Sequence, residues 1–258
     1  MLTMGSLFDG IGGFPLAAVR NGIVPLWASE IEAFPIEVTR LRFPDMIHVG
    51  DITKLNGAEL PPVEIICGGS PCQDLSVAGA RAGLAGARSG LFMEQVRIVK
   101  EMRTQDELRG RTARSVRPRI MVWENVPGAF SSGEPKGEDF RIVLEEICRV
   151  KCDSVSVARP DAGKWESAGR ILLGADFSLA WRVLDAQYWG VAQRRRRIFL
   201  VADFGGRAAP KILFEHNSVP WHPSQSFGAG QGTASAAQGG ADDAGGTFPG
   251  DAEDNPDG

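Results

Sequence analysis

Cysteine and histidine are scarce in this chain. Its 258 residues include four cysteines and three histidines, and no two cysteines form a C-x-x-C pair. So few cysteines exclude a disulfide-stapled scaffold, and no pair of His or Cys residues completes the tetrahedral ligand set that zinc prefers. We therefore expect reduced thiols and no metal site.

Long apolar runs are also missing. No stretch of about 18 consecutive apolar residues occurs, so the sequence predicts no membrane-spanning helix. The first ten residues, MLTMGSLFDG, lack the basic segment and the apolar core of a secretory signal. Together with reduced thiols, these absences favour a cytoplasmic protein.

A net positive charge, which is typical of nucleic-acid binders, is absent because the formal net charge is −4. The charge is unevenly distributed, however. Residues 228–258 hold six acidic side chains and no lysine or arginine, whereas residues 194–197 are four consecutive arginines. The local charge therefore permits a polyanion to bind on one face of the protein.

Strand-like and helix-like segments alternate along the first half of the chain. This alternation is typical of βαβ units and predicts an α/β fold with a mostly parallel sheet. Two further strands are expected on either side of the arginine run, and Asp139 is expected to cap the helix over 138–150. The other expected strands are 2–8, 24–30, 46–52, 63–69 and 119–125, and the other helices lie near 14–21, 34–42 and 90–102.

The periodic pattern fades after Gly206. We expect one folded main domain over residues 1–206 and an irregular extension over residues 207–227. Residues 228–258 are rich in glycine, alanine and aspartate and contain almost no large apolar side chain. Such a segment buries too little apolar surface to fold, so we expect a disordered acidic tail.

A glycine-rich turn, FDGIGGF at residues 8–14, follows the first expected strand and precedes the first helix. Gly10, Gly12 and Gly13 allow the backbone to turn sharply and let a ligand approach the helix N-terminus. The turn therefore predicts a ligand site, although a plain tight turn is the alternative interpretation.

Two acids follow the next strands and indicate what the ligand is. Glu30 ends the second strand, where an acid commonly accepts hydrogen bonds from a ribose diol. Asp51 follows the third strand, where it can accept an adenine amino group. Pro15 stands where the dinucleotide fingerprint has its last glycine, so a nucleoside cofactor without a pyrophosphate is favoured.

One cysteine, Cys72, stands just after the fourth strand in GGSPCQDLSVAG, residues 68–79. Glu124 ends the fifth strand, so a parallel sheet brings both residues to the edge where ligands bind in open α/β folds. A thiol and a carboxyl together suit covalent attack on an electron-poor ring. The thiol adds to the ring while the acid protonates a ring nitrogen.

Four motifs occur in the order and approximate spacing of the DNA (cytosine-5)-methyltransferases, and the chain resembles this family over residues 3–204. The motifs are FDGIGGF, GGSPCQDLSVAG, ENVPG and QRRRRIFLVA. The resemblance implies a Rossmann-like methyltransferase fold, with residues 1–206 as the catalytic domain. It also implies S-adenosylmethionine as cofactor and methyl transfer to C5 of a cytosine flipped out of double-stranded DNA, as in prophage or restriction-modification methylases.

The resemblance also implies roles for individual residues. Cys72 would attack C6 of the cytosine, and Glu124 would engage N3 and the exocyclic amine, with Asn125 as a positioning residue. Arg195 would anchor a phosphate, and Arg197 would reach the cytosine O2. The implied cofactor-binding residues are Phe8, Gly10, Ile11, Gly13, Glu30, Ile31, Asp51, Ile52, Pro71 and Leu91.

The chain departs from the family pattern after the arginine element. The variable target-recognition region, the late Arg-Gln…Gly-Asn-Ser element and the final helix of the family are not found. We therefore expect a truncated or split member that needs a C-terminal target-recognition partner. An RNA cytosine methyltransferase that acts on transfer RNA and a non-catalytic binding remnant are the alternatives.

Overall fold

The computed structural model of the chain describes residues 1–71, 90–190 and 192–214, together with the backbone of residues 233 and 234. The strands are β1 (Thr3–Leu7), β2 (Val24–Ser29), β3 (Ile47–His48), β4 (Ile65–Gly68), β5 (Ile120–Asn125), β6 (Ser156–Val157), β7 (Ala168–Leu173), β8 (Phe177–Asp185), β9 (Arg196–Asp203) and β10 (Thr233–Ala234). The helices are α1 (Gly13–Arg20), α2 (Ala33–Arg42), α3 (Leu91–Leu108), α4 (Glu138–Cys148) and α5 (Ala209–Leu213).

One eight-stranded sheet organises the described residues, in the strand order β3-β2-β1-β4-β5-β9-β8-β7. The five strands from β3 to β5 in that order are all parallel. Their carboxyl ends therefore meet at one edge of the sheet, which we call the carboxyl edge. The expected α/β fold with a mostly parallel sheet is confirmed.

The last three strands of the sheet are antiparallel to their neighbours. β9 runs antiparallel to β5, and β8 runs antiparallel to β9. β8 therefore ends at the carboxyl edge, where β9 begins. Asp185 at the end of β8 pairs with Arg196 at the start of β9. The two strands expected around the arginine run are confirmed, and they bring that run to the edge that carries the end of β5.

The outermost strand, β7, was not expected from the sequence. Its continuous apolar run covers only residues 171–173, which is short for a strand signal. Gly169 lies against the Trp181 ring, and a Cβ added there would be 2.1 Å from the ring. The absent side chain lets this tryptophan pack flat on the edge strand, a contact that no local pattern reveals.

Helices cover both faces of the sheet. α3 and α4 contribute to the large core cluster on one face, while α1 and α5 contribute to smaller clusters on the other. Phe140 of α4 packs against Trp123, Trp165 and Trp181, with ring centroids 5.2 to 6.4 Å apart. Each such buried aromatic contributes about 1.5–3 kcal/mol. Since Trp123 directly precedes Glu124, this core holds the end of β5 in place.

The N-cap expected for α4 was wrong. Gly137, with a φ of 84°, is the N-cap residue, and Asp139 lies inside the first turn. Glycine adopts this left-handed conformation without strain. Asp139 is favoured where it lies because a carboxylate interacts well with the partial positive charge of a helix N-terminus.

The region after Gly206 is described only in part. Within the 207–227 extension, α5 packs Ala209 against Ala180 and Val201 of the sheet. Of the 228–258 tail, only Thr233–Ala234 is described, and it pairs in parallel with Ser156–Val157. The expected disorder of the remaining tail lies outside the described residues. None of the described helices is long and apolar enough to cross a membrane.

Candidate active site

The glycine-rich turn between β1 and α1 has a closed side and an open side. Gly10 and Gly12 have positive φ angles of 54° and 84°. A Cβ added at Gly12 would lie 2.7 Å from the Phe43 ring, so this glycine lets the turn pack on the end of α2. A Cβ added at Gly10 or Gly13 would meet no described atom within 4 Å. The turn therefore exposes its backbone at Gly10 and Gly13, where the sequence predicts the cofactor.

The carboxylate of Glu30 joins the end of β2 to this turn. One oxygen accepts a hydrogen bond of 2.7 Å from the Gly10 N–H. The other oxygen accepts from the N–H groups of Ile31 and Glu32 at 2.8 and 3.1 Å. These bonds hold the carboxylate at the carboxyl edge, beside the open backbone of the turn.

Three apolar residues predicted to contact the cofactor stand within two residues of Gly10 or Glu30 in the chain. Phe8 is half-buried and has a positive φ of 54°. Ile11 and Ile31 are 55% and 69% exposed, which is unusual for isoleucine. Exposed apolar side chains beside an open turn suit contact with a flat ring such as adenine.

Asp51 follows β3 and begins a short 3₁₀ helix, Ile52–Lys54. Its Oδ1 accepts hydrogen bonds from the Thr53 side chain and backbone at 2.8 and 3.0 Å. These bonds lower the pKa of the Asp51 carboxyl, so it is ionised at neutral pH. Ile52 is buried in the core, so its side chain supports this turn from within.

Glu124 and Arg197 meet at the carboxyl edge as an ion pair. The Arg197 Nε lies 3.0 Å from Glu124 Oε1, and both side chains are about one-fifth exposed. The other carboxylate oxygen, Oε2, faces the segment that follows β4, since a Cβ added at Gly69 would lie 3.2 Å from it. The structure thus brings together two residues that the sequence predicts to act on the same base.

The segment leading to Cys72 is anchored to β5. Ser70 Oγ accepts a hydrogen bond from the Trp123 indole N–H at 3.0 Å, and the Ser70 carbonyl accepts one from Asn125 Nδ2 at 3.1 Å. Cys72 itself lies outside the described residues. The sequence predicts a positioning role for Asn125, and its contact with Ser70 is consistent with that role.

Pro71 and Leu91 border the undescribed residues 72–89. Pro71 is exposed, and Leu91 is half-buried at the start of α3. Both therefore lie where the chain leaves and re-enters the described structure. Their predicted contacts with a cofactor stay predictions.

The arginine run is fixed through its backbone by a residue that the sequence analysis missed. Asp185 accepts a hydrogen bond of 3.0 Å from the Arg195 N–H. The Ala186 N–H donates back to the Arg195 carbonyl at 3.0 Å. The Arg195 guanidinium stays exposed to solvent. The only sequence signal for this role is an acid at the end of the strand that precedes the run.

Asp9 was also missed, although it stands within the glycine-rich motif. Its side chain is 6% exposed, and Ser6 Oγ donates a hydrogen bond of 2.5 Å to its Oδ1. The sequence signal for Asp9 is an acidic residue within a turn that is otherwise built from glycine and apolar residues.

Among the described residues, no group of three or more His, Cys, Asp or Glu side chains is placed to hold a metal ion.

Comparisons with known proteins relate the chain to DNA methyltransferases. The family of C-5 cytosine-specific DNA methylases matches residues 2–150. The chain is 34% identical over 240 residues to the DNA N-6-adenine-methyltransferase of Escherichia phage P1, covering 84% of this chain and 31% of that protein. It is 27% identical over 225 residues to the type II methyltransferase M.NgoBV of Neisseria gonorrhoeae, covering 83% of this chain and 44% of that protein.

A solved structure supports the fold. The crystal structure of a candidate DNA modification methyltransferase encoded within an E. coli prophage has a TM-score of 0.53 with this chain at 22% identity, covering 79% of this chain and 47% of that one. The chain spans less than half the length of the two sequence relatives named above. The family match nevertheless covers more than half of this chain. This chain therefore belongs to the C-5 cytosine-specific DNA methylase family.

Proposed function

We propose that this chain carries the catalytic part of an S-adenosylmethionine-dependent methyltransferase that methylates C5 of cytosine in DNA, in a prophage or restriction-modification setting. The observation that carries the proposal is the Glu124–Arg197 pair, 3.0 Å apart beside the segment that leads to Cys72. An acid and a cation so placed can bind the Watson–Crick edge of one base.

The cofactor-binding residues fit S-adenosylmethionine in chemistry and position. The open backbone at Gly10 and Gly13 leaves room for a ligand, and Glu30 presents a fixed carboxylate for the ribose hydroxyls. Asp51 presents an ionised carboxylate for the adenine amine. When bound, the cofactor supplies an electrophilic methyl group.

Cys72 is the proposed nucleophile. Two of the three described cysteines are poor alternatives, because burial raises the pKa of the Cys67 thiol to about 12 and also raises that of Cys148. The thiolate is the reactive form, so neither would react at neutral pH. Cys72 follows Ser70 by two residues, a reach of at most about 7 Å, and Ser70 is bonded to Trp123 and Asn125.

Glu124 is the proposed proton donor to N3 of the cytosine. When the Cys72 thiolate adds to C6, an electron pair moves towards N3, and N3 takes a proton that Glu124 has picked up from solvent on Oε2, the oxygen that Arg197 does not hold. A positioned acid contributes about 10²–10⁴-fold to such a step. The addition makes C5 nucleophilic, so C5 would take the methyl group that the bound cofactor supplies. C5 then loses its proton, the thiolate leaves C6 and N3 returns its proton to Glu124, which restores the ring.

Arg197 orients this acid and stabilises the developing charge. The Arg197 Nε contacts Oε1 of Glu124. The other oxygen, Oε2, faces Gly69 and can bind the base. The Arg197 guanidinium also presents further N–H donors for the cytosine O2. A donor aimed at developing charge is worth roughly 10²–10³-fold in rate.

The exposed Arg195 is proposed to bind a DNA phosphate. Its backbone is held by Asp185, so the side chain extends from a fixed point near the target base. Extruding the cytosine from the duplex costs a few kcal/mol, and phosphate contacts of this kind offset that cost. Sequence recognition is assigned to a C-terminal target-recognition region, in the same chain or in a partner.

The proposed function is tested by covalent trapping. The 258-residue chain is incubated with S-adenosylmethionine and duplex DNA that contains 5-fluorocytosine, which stops the reaction at the Cys–C6 adduct. We expect an adduct with the wild type and with Cys152→Ser, the exposed control cysteine, and none with Cys72→Ser. An adduct on transfer RNA alone would favour the RNA enzyme. No adduct from the chain alone would show that it needs the C-terminal target-recognition region. No adduct with that region supplied and cofactor bound would favour the binding remnant.

A further inference from the structure

Two adjacent aromatic side chains, Tyr188 and Trp189, lie in solvent where the chain passes from β8 to β9. They are 80% and 62% exposed. Tryptophan is usually buried for most of its surface, and the other four tryptophans within the described residues are at most 4% exposed. The proposed mechanism uses neither residue, so this aromatic pair calls for an explanation.

The backbone that carries the aromatic pair is held by hydrogen bonds. Residues Ala186–Trp189 form a 3₁₀ helix that begins after Asp185. The Asp185 carboxylate accepts hydrogen bonds from the Gln187 N–H at 3.3 Å and from the Gln187 side-chain amide at 3.1 Å. The same carboxylate accepts the Arg195 N–H. One acid therefore fixes the aromatic pair and the arginine run relative to each other.

The aromatic pair lies at the carboxyl edge, near the residues proposed to bind the target base. Trp189 is about 6 Å along the 3₁₀ helix from Ala186, and the Ala186 N–H is bonded to the Arg195 carbonyl. Two residues further along the chain, Arg197 contacts Glu124. The pair is thus adjacent to the surface where DNA is proposed to bind.

The charge around the aromatic pair favours DNA as its occupant. Arg194, Arg195 and Arg196 are exposed, and of the four arginines of the run only Arg197 is ion-paired with a described carboxylate. An apolar protein surface would leave the other three charges without a partner. DNA offers phosphates to the arginines and base faces to the rings, which is how proteins bind bases without reading their sequence.

The state of the DNA decides whether an aromatic ring can reach a base face. In a closed duplex each base is covered by the neighbours that stack on it. Extruding the target cytosine uncovers the faces of that cytosine and of the bases that border the gap. An indole presents a large π surface that stacks on such a face.

We infer that Trp189, flanked by Tyr188, stacks on a base face that is uncovered when the target cytosine leaves the duplex. This inference rests on the proposed function, since it adds a contact to the opened DNA at the same site. Stacking then stabilises the opened duplex, whereas the arginines bind the phosphates of opened and closed duplexes alike. Because every base has a π face, the contact is independent of base sequence.

The test compares two short duplexes by fluorescence anisotropy with the 258-residue chain. One duplex is fully paired, and the other carries a central mismatched cytosine, which costs less to extrude. We expect the wild type to bind the mismatched duplex more tightly. Trp189→Ala should weaken binding to the mismatched duplex by about fivefold or more and leave binding to the paired duplex nearly unchanged.

Two further variants control for the ring itself. Trp189→Phe keeps an aromatic ring at the same position, so it should retain most of the preference for the mismatched duplex. Phe34→Ala removes an exposed ring from α2, away from the arginine run, and should leave binding to both duplexes unchanged.

The salt dependence of binding separates stacking from a role in supporting the arginine run. Stacking contacts no phosphate, so Trp189→Ala should leave the slope of log K against log salt unchanged. A substitution that disturbed the backbone of Arg195 would remove a phosphate contact and reduce this slope by about 1.

Quenching of tryptophan fluorescence by acrylamide reports on Trp189 directly, since the other four described tryptophans are buried. The difference between the wild type and Trp189→Phe isolates the signal of this side chain. We expect the mismatched duplex to shield that signal from acrylamide more than the paired duplex does.

The outcomes separate this inference from the proposed function. A mismatch preference that survives in Trp189→Ala, an equal loss on both duplexes with a reduced salt slope, or a wild type that binds both duplexes alike would each overturn the inference alone. Shielding of Trp189 only after a C-terminal target-recognition region is added, without DNA, would also overturn it and assign the aromatic pair to a protein partner. A chain that binds no DNA and forms no adduct, even with that region supplied, would overturn the proposed function, and this inference with it.

Discussion

The Nε of Arg197 lies 3.0 Å from Oε1 of Glu124, across the boundary between the parallel and antiparallel parts of the sheet. Glu124 is near the end of β5 and pairs with Phe199, while Arg197 is near the start of β9. The two residues are far apart in sequence and meet because β9 runs antiparallel to β5. The proposed acid is therefore held by a residue from the arginine run.

Replacing Arg197 should impair chemistry more than binding. Arg197→Ala removes the cation that orients Glu124, so we expect the rate of 5-fluorocytosine adduct formation to fall by roughly 10²-fold or more. Arg194→Ala, which removes an exposed arginine of the same run, is the control and should keep most of the rate. Equal losses in both variants would show that the run acts only through its net charge.

Replacing Glu30 should weaken cofactor binding. The carboxylate accepts three backbone N–H groups, and hydrogen bonds to a charged group contribute about 1.5–3 kcal/mol each to binding a ligand. Glu30→Ala should therefore raise the dissociation constant of S-adenosylmethionine by about tenfold or more, measured by calorimetry. Glu32→Gln changes an exposed acid two residues away; it is the control and should leave the affinity unchanged. Unchanged affinity in Glu30→Ala would refute the ribose role.

Substitutions at two glycines of the turn should separate an effect on protein stability from an effect on cofactor binding. Gly12→Ala places a Cβ 2.7 Å from the Phe43 ring at a positive φ, so it should lower the melting temperature. Gly13 begins α1 and faces open space, so Gly13→Ala should keep or raise stability by up to about 1 kcal/mol. The same change should weaken cofactor binding, because the added methyl narrows the open side. A stable Gly13→Ala variant with wild-type affinity would place the cofactor elsewhere.

Asp9 should make the stability of the free protein depend on pH. Its folded pKa is raised from 3.8 to about 6, so the folded state holds this proton more tightly than the unfolded state does. The stabilising contribution is complete below about pH 4 and is lost as the pH rises through about 6, a loss on the order of 3 kcal/mol. Without cofactor, Asp9→Asn should thus melt higher than the wild type near pH 8. Thermal melts near pH 8 and pH 5 test this, and a constant difference would contradict it.

Arg195 should contribute to DNA binding through charge alone. Arg195→Gln removes one phosphate contact, so it should weaken binding to all duplexes alike and reduce the slope of log K against log salt by about 1. Fluorescence anisotropy over a salt series measures the slope. Arg40→Gln, on the exposed surface of α2, should leave it unchanged. A change that depends on DNA sequence would instead mean that Arg195 reads bases.

Much of the candidate site follows from the sequence because its residues stand next to local signals. Glu30, Asp51 and Glu124 each end or follow an apolar run that reads as a parallel strand. Parallel strands place their carboxyl ends at one edge, so the sequence alone determined that these acids lie at the same edge of the sheet. The glycine-rich turn can likewise be identified from the sequence, because few residues other than glycine adopt positive φ without strain.

The tertiary structure alone decided which of these residues touch. The pairing of β9 with β5 brings Arg197 to Glu124, and the pairing of β8 with β9 lets Asp185 hold the backbone of Arg195. Such contacts join distant strands, and strand order leaves no periodic mark in a sequence. Which side chains are buried is likewise decided only by the tertiary structure. The sequence shows that Asp9 stands in the turn, but only the packing of β1 and β2 around it removes its carboxyl from water and raises its pKa.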